Sequence, residues 1–256
     1  MITDVLVDHS ALVPVVLGIV ALTCAGAGYA AVRGPRHRAS AGSVPARRGH
    51  PRPMGFYGRH LRPRLHTWAL NDRITGEVRE RVCSGLAGDV LEIGYGSGLN
   101  QPHLPPAVTG VWAVEPSATA LALSQDRRDA SPVPVVVAGG DAQSLDLPDD
   151  RFDAALCTWV LCGIPDARAA LEEVARVLKP GASLHFVEHG LAPDPDVVRW
   201  QRRGNPLNKV VSRCLLDNDV DALLAASPLT VTARSASYEK AAPKVAGYMY
   251  EGRATA

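Results

Sequence analysis

The chain has 256 residues, 46% of them hydrophobic and 21% charged, enough to bury a substantial core. A formal net charge of +1 gives no general attraction for nucleic acid, and five cysteines without paired spacing argue against a disulfide framework and for a reducing compartment. The average hides an asymmetry: nine arginines fall between Arg33 and Arg64, while no acidic residue occurs from His9 to Asn71.

The first element in chain order is Ala11 to Val32, 22 residues without a charge. As a helix it would extend roughly 30 Å, the hydrocarbon thickness of a bilayer. The residues before it carry Asp4 and Asp8, unlike the positive leader of a signal peptide, and Thr23 ahead of Cys24 fits a lipoprotein cleavage site poorly. A buried core helix would not be expected to end in an arginine cluster. Residues 1–32 are therefore expected to be a transmembrane anchor. Arg33, Arg36, Arg38, Arg47 and Arg48 all follow the apolar run, which predicts a single-pass protein with its N-terminus outside and its large domain cytoplasmic. Residues 33–64 read as an Arg-rich juxtamembrane linker against an anionic membrane face.

Residues 65–256 read as one further domain, with its core motifs between residues 82 and 190. Short apolar strands are expected at Asp89–Ile93, Gly110–Pro116, Val133–Gly140, Phe152–Thr158 and Ala182–His189. A helix is expected from Asp166 to Leu178, where Ala167, Leu171, Val174 and Leu178 recur at helical spacing and Lys179-Pro180-Gly181 stops it. Apolar strands alternating with helices predict an α/β fold: a doubly wound, mainly parallel sheet with its ligand beyond the carboxyl ends of the strands.

The loop after the first strand is Gly94-Tyr95-Gly96-Ser97-Gly98. Gly94 turns the chain tightly, and Gly96 and Gly98 let backbone approach a ligand with no Cβ between. Glu115 ends the second strand, where a carboxylate accepts the two hydroxyl hydrogens of a ribose. Asp141 follows the third strand within reach of an adenine. These residues specify an adenosine-containing cofactor. Glu92, two residues before the first glycine, decides between the kinds. A carboxylate there repels a pyrophosphate but attracts the sulfonium and ammonium of S-adenosylmethionine.

In this setting the motifs VLEIGYGSG, AVEPS, GGDAQSLDLPDDRFDAALCTWVL and LEEVARVLKPGASLHFVEH resemble those of class I S-adenosylmethionine-dependent methyltransferases of the type 11 domain. LCGIPDARAALEEVARVLKPG, FVEHG, RWQRRGNPLNKVVSRC and APKVAGYMY look like the branch that includes membrane-anchored thiol S-methyltransferases and bacterial relatives. The resemblance implies a seven-stranded Rossmann-like sheet. It also implies a cofactor site at Glu92, Gly94, Gly96, Glu115, Asp141 and Ala142, with Cys157 and Thr158 beside the methionine moiety. Gly98 and Tyr95 complete the loop, Tyr95 being expected to cover the methionine end. The sequence departs from the family at Tyr95, Ser97, Ala182 and Ser212–Asp219.

Methyl transfer from a sulfonium mainly requires positioning of the acceptor. A thiol acceptor needs no protein base, whereas other acceptors do. His189 and Glu188 are the candidate catalytic groups, with Cys162 and Asp166 nearby. Trp159, Trp200, Tyr238, Tyr248 and Tyr250 are candidate pocket walls. His185-Phe186-Val187-Glu188-His189 spells a zinc-protease pattern, but on a strand the two histidines are ~13 Å apart, so no metal is expected. The expected substrate is a small lipophilic molecule: a thiol first, then a quinone precursor or a phospholipid headgroup. The competing readings are a nucleotide-dependent oxidoreductase and a catalytically inactive cofactor-binding membrane adaptor. The sequence carries no sign of oligomeric state.

Overall fold

The computed structural model describes residues 55–240 and 242–256; the anchor expected over 1–32, and the linker as far as residue 54, lie outside the described residues. A π-helical turn, Tyr57–Leu61, runs into α1 (Arg62–Ala69) and α2 (Asp72–Cys83). The Asn71 side chain caps α2 by accepting from Arg73 N. There follow β1 (Gly88–Ile93), β2 (Val108–Val114), α3 (Ala118–Leu123), α4 (Gln125–Ala130), β3 (Val135–Gly139) and β4 (Phe152–Thr158). The rest of the chain forms α5 (Ala167–Val177), β5 (Leu178–His189), α6 (Pro195–Val211), α7 (Val220–Ala225), β6 (Thr230–Tyr238) and β7 (Tyr248–Thr255).

These strands form one seven-stranded sheet in the order β3-β2-β1-β4-β5-β7-β6. The first four pairings are parallel, and β7 runs antiparallel to both β5 and β6, so the sheet is mixed. The strand order reverses between β1 and β4, which opens a crevice at the carboxyl ends of those two strands. The expected strand and helix positions recur to within a few residues. β5 begins at Leu178 rather than Ala182, because Leu178 pairs with Phe152 at the foot of β4. α5 starts after Asp166, whose carboxylate accepts from Ala169 N at 3.1 Å.

Alternation along the strands builds a core on each face of the sheet. Leu91, Ile93, Ala155, Cys157, Leu184 and Phe186 pack against Leu171 and Val174 of α5 and Leu224 of α7. Val90, Val111, Ala113, Leu156 and Val187 pack on the other face against Val78 and Val82 of α2. Glu92 belongs by parity to the second face, and at 1% exposure it is a charge-bearing group inside an apolar layer. No helix among the described residues is long and apolar enough to cross a membrane.

Candidate functional site

Glu92 is the last polar residue of β1 before the glycine turn. Its Oε1 accepts from Asn100 Nδ2 at 2.8 Å, while Oε2 is buried with no hydrogen-bond partner. Asn100 Nδ2 also lies 3.0 Å from Thr158 Oγ1, and its Oδ1 accepts from Arg79 Nη1 at 2.5 Å. Arg79 in turn sits 4.8 Å over the Trp159 ring. The result is a buried polar chain, Arg79–Asn100–Glu92, joined by Thr158 from the end of β4. Burial pushes the Glu92 carboxyl up to about 7, against the opposing effects of Asn100 and Arg79. A buried carboxylate oxygen without a partner is costly, and it fits a cationic ligand group brought to the crevice.

The glycine loop is held from below and left open above. Gly94 (φ +68°), Gly96 (+60°) and Gly98 (+71°) all occupy the left-handed region. A Cβ on Gly94 would overlap Val160 Cγ2, and one on Gly98 would come within 2.8 Å of Tyr95 Oη. At Gly96 the nearest atom would be the Gly94 carbonyl at 3.7 Å, so this cradle faces empty space. Glu115 Oε2 accepts from Gly96 N at 2.9 Å and Oε1 from Ser117 N at 2.8 Å. The carboxylate thus clasps the loop and keeps lone pairs free for hydroxyl donors; burial raises its pKa. Asp141 is exposed at the end of β3, its Oδ1 accepting from Gln143 N and Nε2, and Ala142 beside it is buried. Glu92, Gly94, Gly96, Gly98, Glu115 and Thr158 therefore gather around the β1–β4 crevice, with Asp141 and Ala142 at its β3 side.

Tyr95 is placed differently from expectation. Its ring is 2% exposed and packs in the α2-face core, with its hydroxyl 3.4 Å from Gln101 Oε1. It supports the loop from inside rather than covering a ligand, because the chain turns at Gly94 and drives the next side chain inward.

Cys157 and Thr158 are neighbours that point to opposite faces of the sheet. Thr158 joins the Glu92 chain, whereas Cys157 Sγ faces Glu188 Oε1 at 3.5 Å, and burial raises its pKa. Glu188 Oε1 also accepts from Val160 N (2.7 Å) and Leu161 N (2.9 Å), so this fully buried carboxyl caps the turn after β4. Burial pushes it up to about 7. His189 Nε2 lies 2.6 Å from Cys214 Sγ, and burial holds its pKa down at about 4. His185 instead contacts the Val82 carbonyl at 2.8 Å, so the two histidines of the zinc-protease pattern do not meet.

Cys214 forms a disulfide with Cys162, 52 residues away, which corrects the expectation drawn from cysteine spacing. The pairing arises because the turn after β4 and the loop after α6 converge on the carboxyl edge of the sheet, a proximity that spacing does not encode. Cys83 and Cys157 are free and buried. Among the other expected wall residues, Trp159 donates to Met249 Sδ (3.3 Å), Tyr248 meets Tyr238 of β6 and Tyr250 of its own strand edge to face, and Trp200 is exposed on α6. Asp166 serves as a helix cap.

Sequence reasoning missed Asn100, Arg79 and the Cys162–Cys214 pair. Asn100 had one signal: it opens an amide pair, Asn100-Gln101, two residues past the last glycine of the loop. Arg79, 21 residues earlier in α2, had none. Two shallow grooves, one along Leu191, Pro193 and Arg199 and one along Asp219, Tyr248 and Tyr250, include no glycine-loop residue. The polar chain locates the site.

Residues 91–186 match the family model described as a methyltransferase domain. The chain is 36% identical over 119 residues to thiol S-methyltransferase TMT1B of Rattus norvegicus, covering 44% of this chain and 48% of the relative. It is 31% identical over 130 residues to demethylmenaquinone methyltransferase of Clavibacter sepedonicus, covering 50% and 53%. The chain thus spans about half the length of the curated relatives it matches. In fold it is similar to the N-methyltransferase NodS of Bradyrhizobium japonicum in complex with S-adenosyl-L-homocysteine, at a TM-score of 0.54 and 18% identity, over 73% of this chain and 90% of that one.

Proposed function

We propose that this chain, which carries a methyltransferase domain over residues 91–186, transfers a methyl group to a small lipophilic acceptor, a thiol first. S-adenosylmethionine is the cofactor, and when bound it supplies a methyl group already activated on a sulfonium. The observation that carries the reading is the unpartnered, buried Oε2 of Glu92 beside the open cradle at Gly96. A pyrophosphate would be repelled there, and a cationic amino-acid moiety would be held.

Each residue then has a local task. Glu92 accepts the ligand's positive charge, Asn100 and Arg79 fix the carboxylate's orientation, and Glu115 presents free lone pairs to ribose hydroxyls while keeping the loop in register. Thr158 borders the acceptor end of the crevice. Glu188 Oε1 is engaged by two backbone amides, and a structural role for that carboxyl suits an acceptor that arrives as its own thiolate.

The preference for a thiol is supported by the similarity to thiol S-methyltransferase TMT1B; the similarity to a demethylmenaquinone methyltransferase supports a quinone precursor as the second reading. A membrane-facing acceptor is supported by the charge-free segment 11–32 and by the exposed apolar side chains Phe56, Leu61, Trp200, Leu207 and Val210. The reading places a single-pass anchor at the N-terminus and the catalytic domain on the cytoplasmic face. Labelled S-adenosylmethionine incubated with alkyl thiols, quinols and phospholipids tests it. Labelled methyl thioether is the expected product. Methylation of quinols alone would move the assignment to the second reading, and no product from any acceptor would overturn the small-lipophile proposal.

A further inference from the structure

Beyond the cofactor crevice, three metal-ligating side chains converge at the carboxyl edge of the sheet. Cys162 follows β4, His189 ends β5, and Cys214 lies in the loop after α6. Their ligand atoms, the two cysteine sulfurs and a ring nitrogen of His189, all lie within 4.8 Å of one another, and His189 Nε2 is 2.6 Å from Cys214 Sγ. The loop carrying Cys214 is held in place independently of the sulfur bond. Asn208 Nδ2 donates to the Cys214 carbonyl at 2.9 Å, Leu215 N donates to the Cys162 carbonyl at 3.4 Å, and Arg213 takes φ = +60° to make the turn.

We propose that when Cys162 and Cys214 are reduced, they and His189 form a Cys2His site for one zinc-like divalent cation, with a fourth coordination position open. The disulfide takes up two electrons and two protons from a dithiol reductant, which leaves as its own disulfide. Each thiol then loses its proton as the cation binds. Tetrahedral coordination needs metal–sulfur distances of about 2.3 Å and metal–nitrogen distances of about 2.0 Å, hence sulfurs roughly 3.8 Å apart. The two Cα atoms are 5.0 Å apart, and rotation about the Cys side chains accommodates that separation without moving the backbone.

Soft thiolate and imidazole donors select zinc-like over hard cations, and three protein ligands with one open position leave room for an exogenous ligand. His189 Nδ1 has no hydrogen-bond partner, so its ring is not committed to another group through that nitrogen. Cys162 and His189 are only partly buried, which leaves a path for a cation to enter. The disulfide and the metal are mutually exclusive occupants of the same sulfurs. In a reducing compartment the metal form is the one available.

Cobalt(II) titration of the full-length chain tests this. The protein is reduced with dithiothreitol and desalted without oxygen. The expected result is thiolate-to-cobalt charge-transfer absorption that saturates at one equivalent and is displaced by zinc. The oxidised chain should give none, a comparison that needs no variant. Cys162→Ser and Cys214→Ser should abolish the band, and His189→Ala should weaken cobalt binding by roughly tenfold or more, at least the loss that removing an outer-shell partner of a ligand causes. No band in the reduced wild type, or a band that persists in Cys162→Ser and Cys214→Ser, would overturn the site; persistence would assign the band to Cys24, Cys83 or Cys157.

Discussion

At Gly96 the backbone is left-handed, and the space where a Cβ would stand is open, whereas at Gly94 a Cβ would overlap Val160. Gly96→Ala should therefore cost only about 1–2 kcal/mol of stability, the left-handed penalty alone. It should nonetheless weaken S-adenosylmethionine binding by roughly tenfold or more, the equivalent of about 1.4 kcal/mol. Gly94→Ala should lose more stability than Gly96→Ala; denaturant midpoints and titration calorimetry check both. Tyr95→Ala should cost about 3 kcal/mol, the scale for emptying a buried aromatic site, and should lower the thermal midpoint, where sequence alone suggested a change in binding only. Burial raises the Glu92 pKa to about 7 against an ordinary 4.5, so the folded state binds the extra proton between those values. Its contribution to stability is greatest below about pH 4.5 and falls as pH rises toward 7. Glu188 shifts the same way, so the test is the difference between wild type and Glu92→Gln. The variant should be the more stable of the two at pH 8 and should bind S-adenosylmethionine more weakly. In the wild type, binding should strengthen from pH 5 to 7, because a cationic ligand favours the ionised carboxyl.

The ends of strands carry the chemistry in this fold, and neighbouring residues there have separate fates. β4 delivers Thr158 to the Glu92 chain and Cys157 to Glu188, because successive side chains leave opposite faces. Glu188 then acts on the following turn, holding Val160 N and Leu161 N. Glu188→Ala would leave two amides without an acceptor, each worth about 1–3 kcal/mol, and should destabilise the domain strongly. Glu188→Gln keeps the acceptor oxygen and should retain methyl transfer to within a few-fold, measured by labelled-methyl assay at fixed pH. A large loss of turnover with an unchanged melting midpoint would instead make Glu188 a proton-transfer group. Periodicity made these elements legible: the apolar runs, the spacing of Leu171 and Val174, and the stop at Lys179-Pro180-Gly181 all point to structures that form. The edge strands β6 and β7 were less legible, since Thr230–Tyr238 is largely exposed and lacks the continuous apolar signature of a central parallel strand.

For the whole molecule, the disulfide ties the end of β4 to the loop after α6 across 52 residues. On chain entropy alone, closing a loop of that length stabilises the fold by about 4 kcal/mol. Reduction in the presence of a chelator should lower the thermal midpoint measurably, and adding zinc back should recover part of the loss if the Cys2His site forms. The sequence by itself determined the five strands β1 to β5, the helix between β4 and β5, the glycine loop, and the carboxylates Glu92 and Glu115, because these follow from local periodicity, backbone freedom and charge at fixed offsets along the chain. Only the tertiary structure decided that Tyr95 lies inward, that Asn100 and Arg79 brace Glu92, and that Cys162, His189 and Cys214 meet. Those outcomes depend on which strand ends lie side by side and which way each side chain leaves its strand, and residues 21 to 52 positions apart carry no local mark of becoming neighbours.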